Sequence, residues 1–158
     1  MRPTRRQFAA ALAAAAAAAP ARSRVVVSRD AKPRVAALLD RAMQAYFDRD
    51  TPLEAWRRVV KPGETVGLKV NCLSGRGGST SAALVEAVVE RLQQAGVPAS
   101  NIVVWDRLSE DLESAGFRPS SRTGRVRYLG NEVLGYEDAL TVFGGAASRL
   151  ARTLTRLC

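Results

Sequence analysis

Apolar residues recur along this chain with two alternating periods, and the alternation predicts the fold. Residues Arg24–Ser28 (Arg-Val-Val-Val-Ser) read as a short buried strand. Pro33 then opens a helix. Val35, Leu38, Leu39, Ala42, Met43 and Tyr46 form one apolar stripe, with Arg34, Asp40, Arg41, Gln44 and Asp48 opposite. Thr51-Pro52-Leu53-Glu54 is a helix start: Thr51 caps, Pro52 takes the first helical position and Glu54 closes a capping box. The short helix that follows presents Trp56 and ends near the turn Lys61-Pro62-Gly63. Over Thr65–Asn71 the period falls to two, with Val66, Leu68 and Val70 on one face and Gly67, Lys69 and Asn71 on the other.

A glycine-rich loop, Cys72–Gly78, leads to Ser79, Thr80 and Ser81, which supply N-caps for a helix. Its apolar face is Leu84, Val85, Val88, Val89 and Leu92, and Gly96 and Pro98 stop it. Asn101–Trp105 reads as a further strand ending at Asp106, Ser109–Ala115 as an acidic helix closed by Gly116, and Arg125–Leu129 as another strand. Gly144–Leu157 reads as a final helix, with Ala147, Leu150, Ala151, Leu154 and Leu157 on one side. Strands alternating with helices define an α/β fold with a small, mostly parallel sheet and flanking helices, Rossmann-like in its layering. A helix ending uncapped at Cys158 implies that another strand follows, so the chain reads as incomplete.

The first 21 residues do not belong to that pattern. Thr4-Arg5-Arg6-Gln7-Phe8, an alanine run from Ala9 to Ala19 and the small-residue end Ala19-Pro20-Ala21 read as a twin-arginine export signal. The run is shorter than the roughly 20 residues that span a bilayer, so no permanent membrane anchor is expected. The expected partner is the twin-arginine translocation machinery and the expected location periplasmic or extracellular. This route carries folded proteins, many of them with a cofactor already inserted. Residues 1–21 are then the signal and 22–158 the N-terminal part of an α/β domain.

Charge and composition narrow the chemistry. The net charge is +9; Arg2, Arg5 and Arg6 of the signal supply three of those charges. The rest is scattered arginine without a basic block, so an exported chain of this kind is not expected to bind nucleic acid. The chain has no histidine, which excludes Ser-His-Asp and Cys-His catalysis within it and removes the commonest zinc ligand. Its two cysteines, Cys72 and Cys158, are too few for an iron–sulfur cluster. In an oxidising compartment they could pair, although the sequence does not place them within bridging distance. No complete iron–sulfur or zinc ligand set is present, and the cofactor is left open.

One constellation carries candidate chemistry: strand, glycine-rich loop, hydroxyl cluster, helix. Gly75-Arg76-Gly77-Gly78-Ser79-Thr80 would let backbone N–H groups, a guanidinium and two hydroxyls meet a phosphate or carboxylate. The same residues also suit a plain loop whose hydroxyls cap the helix, and the spacing matches neither the P-loop nor the dinucleotide fingerprint. Lys69 shares a face with Asn71 near the carboxyl end of its strand, where open α/β sheets bind ligands; on an edge strand it would simply be solvated. Asp106, at the end of the next strand, could contact a metal, a hydroxyl or Lys69, or cap the segment after it. The candidate rim is therefore Lys69, Asn71, Arg76, Ser79, Thr80 and Asp106, with a small anionic ligand or a metal or redox cofactor as its occupant.

The ordered series Ala55-Trp56, Pro62-Gly63-Glu64-Thr65-Val66-Gly67-Leu68-Lys69-Val70-Asn71-Cys72-Leu73, Ser79-Thr80, Leu84-Val85-Glu86-Ala87, Ala95-Gly96-Val97-Pro98, Asn101–Arg107 and Ala115-Gly116-Phe117 resembles the family of domain of unknown function 362 (DUF362), in its twin-arginine-exported branch. The resemblance runs from about Val25 to Cys158. Family members often read Ser-Thr-His-Pro where this chain has Ser79-Thr80-Ser81-Ala82, so a family histidine is absent. The family also continues with a Cys-Asp step and a Pro-x-Leu-Lys-x-His segment, and Cys158 would match the start of that step. The resemblance implies the N-terminal half of an α/β protein. Some relatives carry a ferredoxin-like iron–sulfur segment, which the exported branch generally lacks, and no catalytic residue is implied. A non-catalytic assembly or interaction protein is the alternative function, as is an oxidoreductase or racemase-like enzyme completed by a further half; the latter would take Lys69 or Asp106 as its base, or draw the base from that further half.

Overall fold

The structure is a computed structural model that describes residues 23–31 and 34–158. The export-signal residues and Pro33 lie outside the described residues.

A three-stranded parallel sheet positions everything else. Strand β1 (Val66–Lys69) pairs with β2 (Ile102–Asp106), which pairs with β3 (Arg127–Gly130), in the order β1-β2-β3. The register sets Val66 beside Ile102, Leu68 beside Val104 and Lys69 beside Trp105. Parallel strands need long crossovers, and helices supply them: α4 (Ala82–Gln94) between β1 and β2, α5 (Ser109–Ala115) between β2 and β3. The even-numbered face, Val66, Leu68, Val70, Ile102 and Val104, packs with Val85, Val89 and Leu92 of α4, Leu112 and Ala115 of α5, and Trp56 into one apolar core.

Two N-terminal helices close that side. In α1 (Val35–Phe47), Leu39 and Met43 reach the core while Tyr46, counted in the stripe, is 45 % exposed. Asp40, on the polar side of that stripe, receives a two-pronged bond from Arg91 of α4, both contacts at 2.8 Å. That geometry fixes one helix against the other. Helix α2 (Pro52–Trp56) starts on the anticipated capping box, with Thr51 Oγ1 accepting from the Glu54 N–H and Glu54 accepting from the Thr51 N–H. Turns at Gly63, Gly96 and Gly116 fall where the sequence placed them, with positive φ at each.

Several local expectations are corrected. Arg24–Ser28 is not a strand: it has no ladder partner among the described residues, and Val25 and Val27 are 80 % and 68 % exposed. β-branched residues favour an extended chain, but without a neighbouring strand nothing pairs their backbone. The loop Cys72–Gly78 contains a single helical turn, α3 (Gly75–Gly78). Ser81 holds the N-cap position of α4 without a side-chain cap bond. On α4, Leu84 is exposed and Ala87 is buried in its place.

The final helix does not form. Residues Tyr136–Phe143 (β4) and Ala146–Ala151 (β5) make an antiparallel hairpin, followed by a π-helical turn at Thr153–Leu157. Gly144 and Gly145 have φ of 55° and 85°. Two successive residues with positive φ give the two-residue turn whose twist matches paired strands. The step from an uncapped helix to a following strand loses its premise. The odd-numbered face is buried at Val103 of β2 and Leu129 of β3 but open on β1, where Gly67 and Lys69 are exposed and Cys158 lies over Gly67 beside the Trp105 indole. Both thiols are free, Cys72 buried in the core and Cys158 exposed.

Candidate functional site

At the carboxyl end of the sheet the structure brings four of the six candidate residues together. Lys69 ends β1 and Asp106 ends β2. Lys69 Nζ lies 2.5 Å from Asp106 Oδ1, donates also to the Val70 carbonyl, and sits 5.7 Å from the centroid of the Trp105 ring. Asp106 Oδ2 accepts the Cys72 N–H at 2.7 Å. The pair is asymmetric: the Lys69 side chain is 49 % exposed and that of Asp106 only 8 %. Lys69 belongs to an edge strand, yet its ammonium is anchored from below by a buried carboxylate.

The loop above the pair is closed by reciprocal bonds. Asn71 N–H donates to Thr80 Oγ1 at 3.0 Å, and Thr80 N–H donates to the Asn71 carbonyl at 2.8 Å. Asn71 Oδ1 accepts the Leu73 N–H at 3.3 Å, which leaves the amide NH2 as its unused donor group. Thr80 therefore holds the loop shut instead of capping α4. The Ser79 hydroxyl oxygen is buried without a hydrogen-bond partner.

Arg76 does not join this group. Its guanidinium lies against Gly116, at the far end of α5 from Asp106, near the carbonyl ends that favour a cation.

Burial works against ionising Asp106, but the Lys69 ammonium and the backbone N–H groups of Arg107 and Cys72 outweigh it and hold the carboxyl below its ordinary value. Burial, reinforced by the Asp106 charge, pushes the Cys72 thiol up to about 11. Cys72 is thus a protonated core residue rather than a nucleophile. Among the described residues no group of three or more His, Cys, Asp or Glu is arranged to hold a metal ion.

Two features escaped the sequence. The Cys72 N–H as a ligand of Asp106 depends on the loop's path. Glu132, at the end of β3, caps α5 by accepting the Ser109 N–H at 2.8 Å; 23 residues separate them, and no local pattern signals the contact. The Lys69–Trp105 neighbourhood was readable once the β1–β2 register was known.

The fold is α/β, a three-stranded parallel sheet with flanking helices and a small antiparallel hairpin. No family model matches the chain, and no curated protein or solved structure gives a significant match.

Proposed function

We propose that this chain is an exported protein of the DUF362 family that holds a small anionic ligand at the carboxyl end of its parallel sheet. The observation that carries the reading is the Lys69–Asp106 pair: an ammonium held by a buried carboxylate and half exposed at the rim where such sheets bind ligands. Two of the three Lys69 donors are spent on Asp106 and Val70, and the third is left for a carboxylate or phosphate. The Asn71 amide, two residues further along the chain, is a second unused donor. Asp106 positions the lysine and lowers the net charge of the site, so the ligand carries one or two negative charges rather than a polyphosphate's load.

Calorimetry with the full chain against phosphate, oxalate and lactate tests this. Lys69→Ala is expected to weaken the best of them about tenfold or more, in line with one charge-assisted hydrogen bond. If none of the three binds, or if Lys69→Ala leaves binding intact, the rim is not the site. Metal content and the visible spectrum of protein purified from its own periplasm separate a bare anion from a metal or redox cofactor. Export by the twin-arginine machinery is checked by replacing Arg5 and Arg6 with lysine, which should trap the protein inside the cell. A second reading, a non-catalytic interaction protein, is favoured by one observation: the hairpin exposes Leu140 and Val142 at 64 % and 69 %.

A further inference from the structure

A second cleft lies apart from the Lys69–Asp106 pair, on the helix-covered side of β3. It measures about 410 Å³ and is lined by Ala82 and Glu86 of α4, by Gly116, Phe117 and Arg118 after α5, and by Tyr128 of β3. Its wall is aromatic: the Phe117 and Tyr128 rings stack with centroids 6.0 Å apart and planes 28° from parallel. Its charges are opposite in sign and do not meet. Glu86 and Arg118 both line the cleft, both are exposed, and they make no ion pair within 4.0 Å among the described residues.

A stacked aromatic pair beside a carboxylate and a guanidinium that do not pair with one another is complementary to a molecule with both charges and an apolar body. We propose that this cleft binds a small zwitterion of the α-amino acid class with an aromatic or large apolar side chain. The ligand's carboxylate meets Arg118 near the first turn of α4, whose partial positive charge adds to that of the guanidinium. Its ammonium meets Glu86, and its side chain lies on Phe117 and Tyr128. The site is separate from the anion rim: among the described residues no cleft residue shares a hydrogen bond or ion pair with Lys69 or Asp106.

The test is titration calorimetry of the full chain with L-phenylalanine, 3-phenylpropionate and phenethylamine. L-Phenylalanine should bind, and each single-charge analogue should bind about tenfold more weakly, the loss expected for one charge-assisted contact. Arg118→Ala should weaken L-phenylalanine and 3-phenylpropionate while sparing phenethylamine; Glu86→Gln should weaken L-phenylalanine and phenethylamine while sparing 3-phenylpropionate. Both residues are exposed, and unchanged circular dichroism melts verify that the variants fold. Lys69→Ala should leave all three affinities unchanged, so failure of the rim and failure of the cleft are told apart. No binding of L-phenylalanine at millimolar concentration overturns the proposal, as do equal affinities for the three probes or loss of L-phenylalanine binding in Lys69→Ala.

Discussion

Asp106 shows how one residue serves stability and site at once. Its carboxylate takes the Cys72 N–H and the Lys69 ammonium, tying the loop after β1 to the end of β2. Asp106→Ala leaves the Cys72 N–H without its acceptor and should cost about 1–3 kcal/mol in urea unfolding. Asp106→Asn should cost less, since an amide oxygen still accepts. The lowered carboxyl also sets a pH dependence. A group held below its unfolded value stabilises fully above that value, 3.8 for Asp106, and the contribution fades as pH falls through the lower folded value. Stability of the parent protein should therefore fall on acidification below about pH 4, and Asp106→Asn should flatten that limb. Gly67 makes a different demand: a Cβ there would lie 2.5 Å from Cys158 Sγ. Gly67→Ala should destabilise by about 1 kcal/mol or less, because the exposed Cys158 thiol it meets can shift. Combined with Cys158→Ala, which removes the sulfur, it should cost much less than the sum of the single changes. Additive losses in that double-mutant cycle would show that Cys158 does not sit on the strand.

Among the elements, the β4–β5 hairpin depends most on two residues. Gly144 and Gly145 both occupy the left-handed region, where a branched side chain is strained and Asn is tolerated. Gly145→Val should open the hairpin, seen as faster amide exchange over 136–151 with the parallel sheet unaffected, whereas Gly144→Asn should leave exchange near the parent rate. Acid probes the same element. The Arg156 guanidinium and the Thr155 hydroxyl hold the Glu137 carboxyl down to about 2, from 4.5. That contact is complete above pH 4.5 and is lost as pH falls toward 2, so hairpin exchange should accelerate over that interval and not above it. The hairpin is also where the sequence misled. Ala147, Leu150, Ala151, Leu154 and Leu157 do fall at helical intervals, but the Gly-Gly pair after Leu140-Thr141-Val142-Phe143 is a hairpin signal that outweighs them. The capping box at Thr51, the alternation through Val66–Val70 and the glycine stop at Gly116 were legible because each depends on neighbours within four residues. Val25 and Val27 misled for the opposite reason, since a strand exists only with a partner. At the site, strand ends placed Lys69 and Asp106 correctly on one rim, while the path of Arg76 toward α5 depends on a loop turn that no local pattern encodes.

Among the described residues, one group of exposed large apolar side chains lies on and beside the hairpin, while others, Val25, Val27, Val59 and Leu73 among them, lie elsewhere. Leu140 and Val142 share one face of the hairpin, and Val133, Leu150 and Leu154 add exposed surface on and beside it. A two-stranded ribbon with apolar side chains and unpaired edges favours association. The net charge of +9 opposes it by repulsion between copies. Salt decides between the two, because it screens charges beyond roughly 10 Å at 0.1 M and leaves apolar contact intact. The chain should therefore sediment as a larger species as salt rises. Leu140→Glu with Val142→Thr tests whether the hairpin is the sticky surface. Leu140 pairs across the ladder with Arg149, so a glutamate there gains an opposite-charge partner, and threonine keeps the β-branching of valine. The fold is thus retained while the apolar patch is removed, and the double variant should stay monomeric across the salt series. The competing surface is the open edge of β1, where Leu68, Leu84 and Val88 line a shallow apolar groove. If the double variant associates as strongly as the parent, that edge carries the association and the hairpin does not.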